Sequence, residues 1–186
     1  MIKYYLFVSL LVVSAISNLQ AQDDWHLVKS HDGAIEAMLP GPAKKKLDRK
    51  KTLAGTITTK VLEFHTDDVE FTITSTRLSK FLRKFANDER LYKRAKSEIL
   101  NKSYGEEKSM KEIEINEVPA RELHYEVVNF HDENHNGYQG VAVFAILNDK
   151  VYVANAIMEK EDGNLDLKKF RDSIKINKEL GKEKVK

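Results

Sequence analysis

The residue types and spacing best suited to chemistry lie in His131-Asp132-Glu133-Asn134-His135-Asn136-Gly137. Asp132, Asn134, Asn136 and Gly137 reproduce the D-x-N-x-N-G opening of a calcium loop, in which alternate side-chain oxygens converge on a hard cation and the glycine permits the sharp bend. The twelfth position of such a loop would be Val143, where a bidentate Glu is required, and the residues around it read as a strand rather than a helix. His131 and His135 stand four apart with an acid after the first, a distant echo of the zinc-peptidase H-E-x-x-H. That chemistry needs a helix to bring both imidazoles to one face and a longer Glu as base. Asn-His-Asn-Gly is a poor helix and a good turn. The plain alternative is a hairpin at Asn136-Gly137, between strands ending near Phe130 and starting near Tyr138, with its polar side chains solvated. Under the calcium reading the ligands are Asp132, Asn134 and Asn136; under the plain hairpin the protein has no cofactor.

A second candidate surface is a basic helix spanning 79–104. There Lys80, Arg83, Lys84, Arg90, Lys93, Arg94, Lys96 and Lys102 outnumber Asp88, Glu89 and Glu98, with Phe81, Phe85 and Tyr92 interleaved. Such a helix can dock on anionic lipid headgroups or on an acidic partner. The ordinary alternative has its apolar stripe facing a sheet while the long basic side chains solvate the other face. For catalysis there is no G-x-S-x-G, no phosphate loop and no cysteine, and His26, His65 and His124 are scattered along strands. The chain is therefore read as a non-enzymatic protein.

The elements that must position these groups follow from hydrophobic periodicity. Strand-like stretches run from Trp25 to Lys29 and from Ala34 to Leu39, joined by a His31-Asp32-Gly33 turn and stopped by Pro40-Gly41-Pro42. The lysine-rich segment Ala43 to Lys51 lacks apolar periodicity and reads as an exposed loop or ragged edge strand. Thr56 to Thr66 and Val69 to Arg77 are β, the second alternating cleanly between apolar and threonine-rich faces. From Ser79 the period lengthens to a helix, divided at Asn87-Asp88 and closed by Gly105 in a C′ role. Four further β segments follow: Glu112 to Ile115, Leu123 to Val127, Gly140 to Leu147 and Val151 to Met158. A final helix from about Leu165 to Ile174 buries Leu167, Phe170 and Ile174. The order is ββββ-α-ββββ-α, an α+β class with an antiparallel sheet and helices packed against it.

At its N-terminus the 186-residue chain has the make-up of an export signal over residues 1–21: Lys3, an apolar run from Tyr4 to Ile16, and a small residue at Ala21. That run is too short to span a bilayer, so the expectation is cleavage near Ala21 and a soluble periplasmic or secreted protein, an uncleaved anchor being the alternative. Residues 22–177 make one domain and 178–186 a charged, flexible tail. The chain holds 31 Lys/Arg against 29 Asp/Glu, too balanced to demand a nucleic-acid partner. It is nevertheless uneven: 22–104 carries 17 basic against 12 acidic residues, and 105–186 carries 13 against 17. Without cysteine, the fold rests on its core alone.

Two stretches resemble a known group. Ser30-His31-Asp32-Gly33-Ala34-Ile35-Glu36-Ala37-Met38-Leu39-Pro40-Gly41-Pro42 is similar to the entry of small exported bacterial proteins of the PsbP/Mog1-like kind, and Lys169-Phe170-Arg171-Asp172-Ser173-Ile174 is similar to their closing helix. The departure is Ile174, where an aromatic is common. The resemblance implies an antiparallel sheet sandwiched by helices and an accessory, assembly or binding role without a shared catalytic set. It carries no site residue. The expected partner is a protein or envelope component, with membrane-surface contact through the basic helix as an alternative; oligomeric state is left open.

Overall fold

The computed structural model describes residues 25–52, 55–127, 137–160 and 164–180. The leader at 1–21, the candidate ligands Asp132, Asn134 and Asn136 with His131 and His135, and the last six residues of the tail lie outside the described residues.

Among the described residues, ten strands and three helices follow one another: β1 (His26–Lys29), β2 (Ile35–Leu39), β3 (Lys44–Thr52), β4 (Gly55–His65), β5 (Val69–Arg77), α1 (Lys80–Phe85), α2 (Asp88–Ser103), β6 (Gly105–Ile115), β7 (Val118–Val127), β8 (Tyr138–Leu147), β9 (Lys150–Glu159), α3 (Asn164–Ser173) and β10 (Lys175–Ile176). They form a three-stranded sheet, β1-β2-β10, and a seven-stranded antiparallel sheet, β3-β4-β5-β9-β8-β7-β6. The α+β class and the coarse order expected from the sequence stand. The finer order gains β3 as a nine-residue strand and the short β10.

The central strands β8 and β9 bury side chains on both faces, as their near-continuous apolar runs require. On one face Phe71, Ile73, Val141, Val143, Tyr152 and Ala154 pack with Ile35, Ala37 and Leu39 of β2 and with Leu167 and Phe170 of α3. On the other, Leu123, Tyr125, Phe144 and Val153 pack with Leu91 and Tyr92 of α2. Phe170 meets Phe71 edge-on at 5.2 Å, anchoring α3. Arg171 of α3 donates from Nε to Glu122 Oε2 of β7 at 2.5 Å, a second tie between this helix and the sheet.

Local chemistry sets the element ends. Ser79 and Asn87 cap α1 and α2, accepting from the Leu82 and Arg90 amides. At the end of α2 the left-handed residue is Tyr104 (φ 52°), not Gly105, which already begins β6. Gly105 is small for another reason: a Cβ there would lie 2.8 Å from the Tyr125 ring. Asn116 and Glu117, with φ of 50° and 63°, turn β6 into β7, and the Asn116 side chain accepts from the Ile176 amide, fixing β10. Pro119 pairs with Glu114 of β6 but precedes the β7–β8 ladder, which opens at Ala120, so its missing N–H costs that ladder nothing.

Candidate functional site: a basic cleft under an edge strand

β3 is an edge of the large sheet. It carries Lys44, Lys45, Lys46, Arg49, Lys50 and Lys51 against the single acid Asp48, and Lys44 to Lys51 are all exposed. No sequence periodicity marks it because neither face is buried. Its pairing with β4, unbroken from Lys44↔Glu63 to Thr52↔Gly55, makes it a strand.

Antiparallel register places partners on a common face of the sheet. Lys45 stands opposite Leu62, and Leu62 opposite Ile73; beside that row, Leu47 stands opposite Lys60, and Lys60 opposite Ser75. These two rows floor a cleft of about 410 Å³ whose other wall is the β1–β2 hairpin, with Lys29, Ser30 and His31. Leu62, Ile73 and Ser75 are buried, whereas Leu47 at the rim is 52% exposed.

The hairpin wall is held by Asp32. Its carboxylate accepts from the Ser30 hydroxyl (2.8 Å), the Ala34 amide (3.2 Å), the Lys150 ammonium (2.8 Å) and the Tyr152 hydroxyl (2.7 Å). Burial would raise the Asp32 pKa, but those hydrogen bonds, led by Lys150 and Tyr152, outweigh it and hold the carboxyl well below the usual carboxylate range. Gly33 follows with φ +71°, the positive value the turn requires. The sequence marked His31-Asp32-Gly33 as a turn; that Asp32 reaches residues about 120 positions away was not legible there.

The cleft's charged lining is basic, Lys29, Lys45, Lys46 and Lys60, with His31 beside them. Glu36 pairs with Lys29 at 2.7 Å and Glu63 with Lys46, while among the described residues no carboxylate pairs with Lys45 or Lys60. The arrangement attracts anions and offers them an apolar floor.

The other sequence candidates are dispersed. His26 and His65 are exposed on separate strands, and His124 Nε2 pairs with Glu122 at 2.7 Å. Among the described residues no three His, Asp or Glu side chains are gathered to hold a metal. The basic helix divides its aromatics: Tyr92 is buried and donates to the Pro119 carbonyl, but Phe81 and Phe85, expected in the apolar stripe, are each 60% exposed. Their ring centroids lie 4.8 Å apart, and the Lys84 ammonium sits over the Phe85 ring.

The architecture can be compared with solved structures. The chain superposes on cyanobacterial PsbP (CyanoP) from Synechocystis sp. PCC 6803 with a TM-score of 0.55 and 8% identity, covering 83% of this chain and 94% of that one. This is a PsbP-like fold. A Pseudomonas aeruginosa protein of unknown function, PA94, matches with a TM-score of 0.37 and 15% identity, over 74% of this chain and 85% of its own. No protein-family model matches the chain, and no curated protein matches it. The PsbP-like fold agrees with the resemblance of the 30–42 entry and the 169–174 closing helix. No helix of the described residues is long and apolar enough to cross a membrane.

Proposed function

We propose that the protein is an exported, non-enzymatic binding or accessory protein of the bacterial cell envelope, which holds an envelope partner at the basic edge of its large sheet. The observation that carries this reading is β3, an edge strand exposed from Lys44 to Lys51, with six cationic side chains against one acid. Edge lysines oppose pairing between identical copies, and the same charges favour an acidic segment, whose backbone can add to the outer edge. Export rests on the leader-like residues 1–21. N-terminal sequencing of the protein recovered from its native compartment should start near Gln22.

The binding reading is tested with a photo-crosslinking side chain at position 47 on β3 and, in a second protein, at position 111 on the opposite edge strand β6. One reproducible partner from position 47, absent from position 111 and lost in Lys44→Glu/Lys50→Glu, is the expected result. Empty capture at 47, or equal capture at both edges, rejects the reading.

The Phe81–Phe85 stack favours a second reading, contact with an anionic membrane surface. Sedimentation with phosphatidylglycerol vesicles should then occur at low salt and vanish in Phe81→Ser/Phe85→Ser. Equal sedimentation of wild type and variant would reject it.

A further inference from the structure

We propose that the cleft beneath β3 binds an anionic amphiphile, a hydrocarbon chain ending in a carboxylate or phosphate. This rests on the binding role proposed for the same face and adds the chemistry of a small ligand. The volume of about 410 Å³ falls within the roughly 300–1,000 Å³ of small-molecule sites.

Two properties of the lining act together. The first is uncompensated positive charge: Glu36 and Glu63 engage Lys29 and Lys46, leaving Lys45 and Lys60 without a carboxylate among the described residues. The second is an apolar side chain opposite each of those lysines, since Lys45 is the cross-strand partner of Leu62, and Lys60 that of Leu47. Leu62 and Ile73 form a buried floor, and Leu47 is an exposed apolar rim. An inorganic anion would meet the lysines and leave Leu47 in water. A neutral chain would cover Leu47 and place apolar atoms against two ammonium groups, a costly desolvation. A chain with an anionic head satisfies both, with its apolar part against the flanking Leu47 and Leu62 and its head at Lys45 and Lys60.

The hairpin wall of the site is preformed. Asp32, held by Ser30, Ala34, Lys150 and Tyr152, fixes the hairpin wall against β9, so little ordering accompanies binding. The Ser75 side chain on the floor supplies a hydroxyl for the head group.

The test is calorimetric titration of the mature protein, below micellar concentrations, with dodecanoate and dodecyl phosphate as probes. Dodecyl maltoside, inorganic phosphate, acetate and an oligoglutamate peptide serve as comparisons. The expected result is saturable one-to-one binding of at least one anionic chain, with every comparison weaker by about tenfold or more. Binding of both chains identifies a general anionic head; binding of dodecyl phosphate alone identifies a phosphate head. Lys45→Glu/Lys60→Glu should weaken binding by about tenfold or more, and Leu47→Ser should weaken it while inorganic phosphate is unaffected. All three positions are solvent-exposed, so circular dichroism and melting temperature should stay at wild-type values. The proposal is overturned by absence of saturable binding, by equal binding of phosphate or oligoglutamate, or by unchanged binding in the lysine variant. Amphiphile binding with empty crosslinking at position 47 would reject the macromolecular partner and keep the cleft; the reverse would reject the cleft alone.

Discussion

Asp32 shows how one side chain can organise a surface. Its folded pKa lies below the unfolded value of about 3.9, so the unfolded chain takes up a proton first as pH falls. The stability it contributes is complete above the unfolded pKa and is lost as pH drops through the folded one. Melting temperature should therefore fall below about pH 4, and Asp32→Asn should flatten that fall while lowering stability at neutral pH. An acid limb identical to wild type would contradict this. Gly140 makes a steric case: a Cβ there would lie 2.2 Å from Cζ of Tyr125, whose hydroxyl donates to Asn155 Oδ1 at 2.7 Å in the core. Gly140→Ala should cost about 1–3 kcal/mol by denaturant unfolding, because a buried, hydrogen-bonded ring has no room to retreat. At this scale the sequence yielded the Gly33 turn and the helix break at Asn87, both local, and missed the glycines set by Tyr125, because their neighbours come from other strands.

Elements differ in how openly the sequence announces them. β5 alternates Phe71 and Ile73 with Thr72 and Thr74, as its half-buried place between β4 and β9 requires. β3 has no such pattern, being solvated on both faces. The helix over 79–104 is present as two segments, but Phe81 and Phe85 leave the stripe because α1 ends at Phe85 and the chain turns at Ala86 before α2 packs on β6, β7 and β8. The 131–137 connection joins β7 to β8, and its calcium reading is tested directly. If Asp132, Asn134 and Asn136 bind calcium, the ion should raise the melting temperature, and Asp132→Ala/Asn136→Ala should abolish the rise. An unchanged melt with calcium and with chelator would leave the plain hairpin.

For the whole molecule, strand order converts sequence halves into halves of the sheet. β3, β4 and β5 occupy one side and β9, β8, β7 and β6 the other, meeting at the β5–β9 pair. The basic excess of 22–104 thus reaches one edge through β3, while the opposite edge, β6, carries Glu106, Glu107, Glu112 and Glu114. The small sheet and α3 close one face, with Phe170 at 0% exposure. Phe170→Ala should cost about 3–5 kcal/mol by denaturant unfolding, and a loss below 1 kcal/mol would show that α3 is dispensable to the core.

The sequence by itself determined the α+β class, the places of most elements, the buried face of β5 and α3, and the resemblance to PsbP-like proteins. Each depends on periodicity or turn chemistry that a few adjacent residues express. Tertiary structure alone decided that the lysine run is an edge strand, that β1 and β2 leave the large sheet to form the cleft wall, and that Lys45 and Lys60 stand beside Leu62 and Leu47. Those facts depend on register and on contacts between distant segments, where backbone pairing overrides weak local preference.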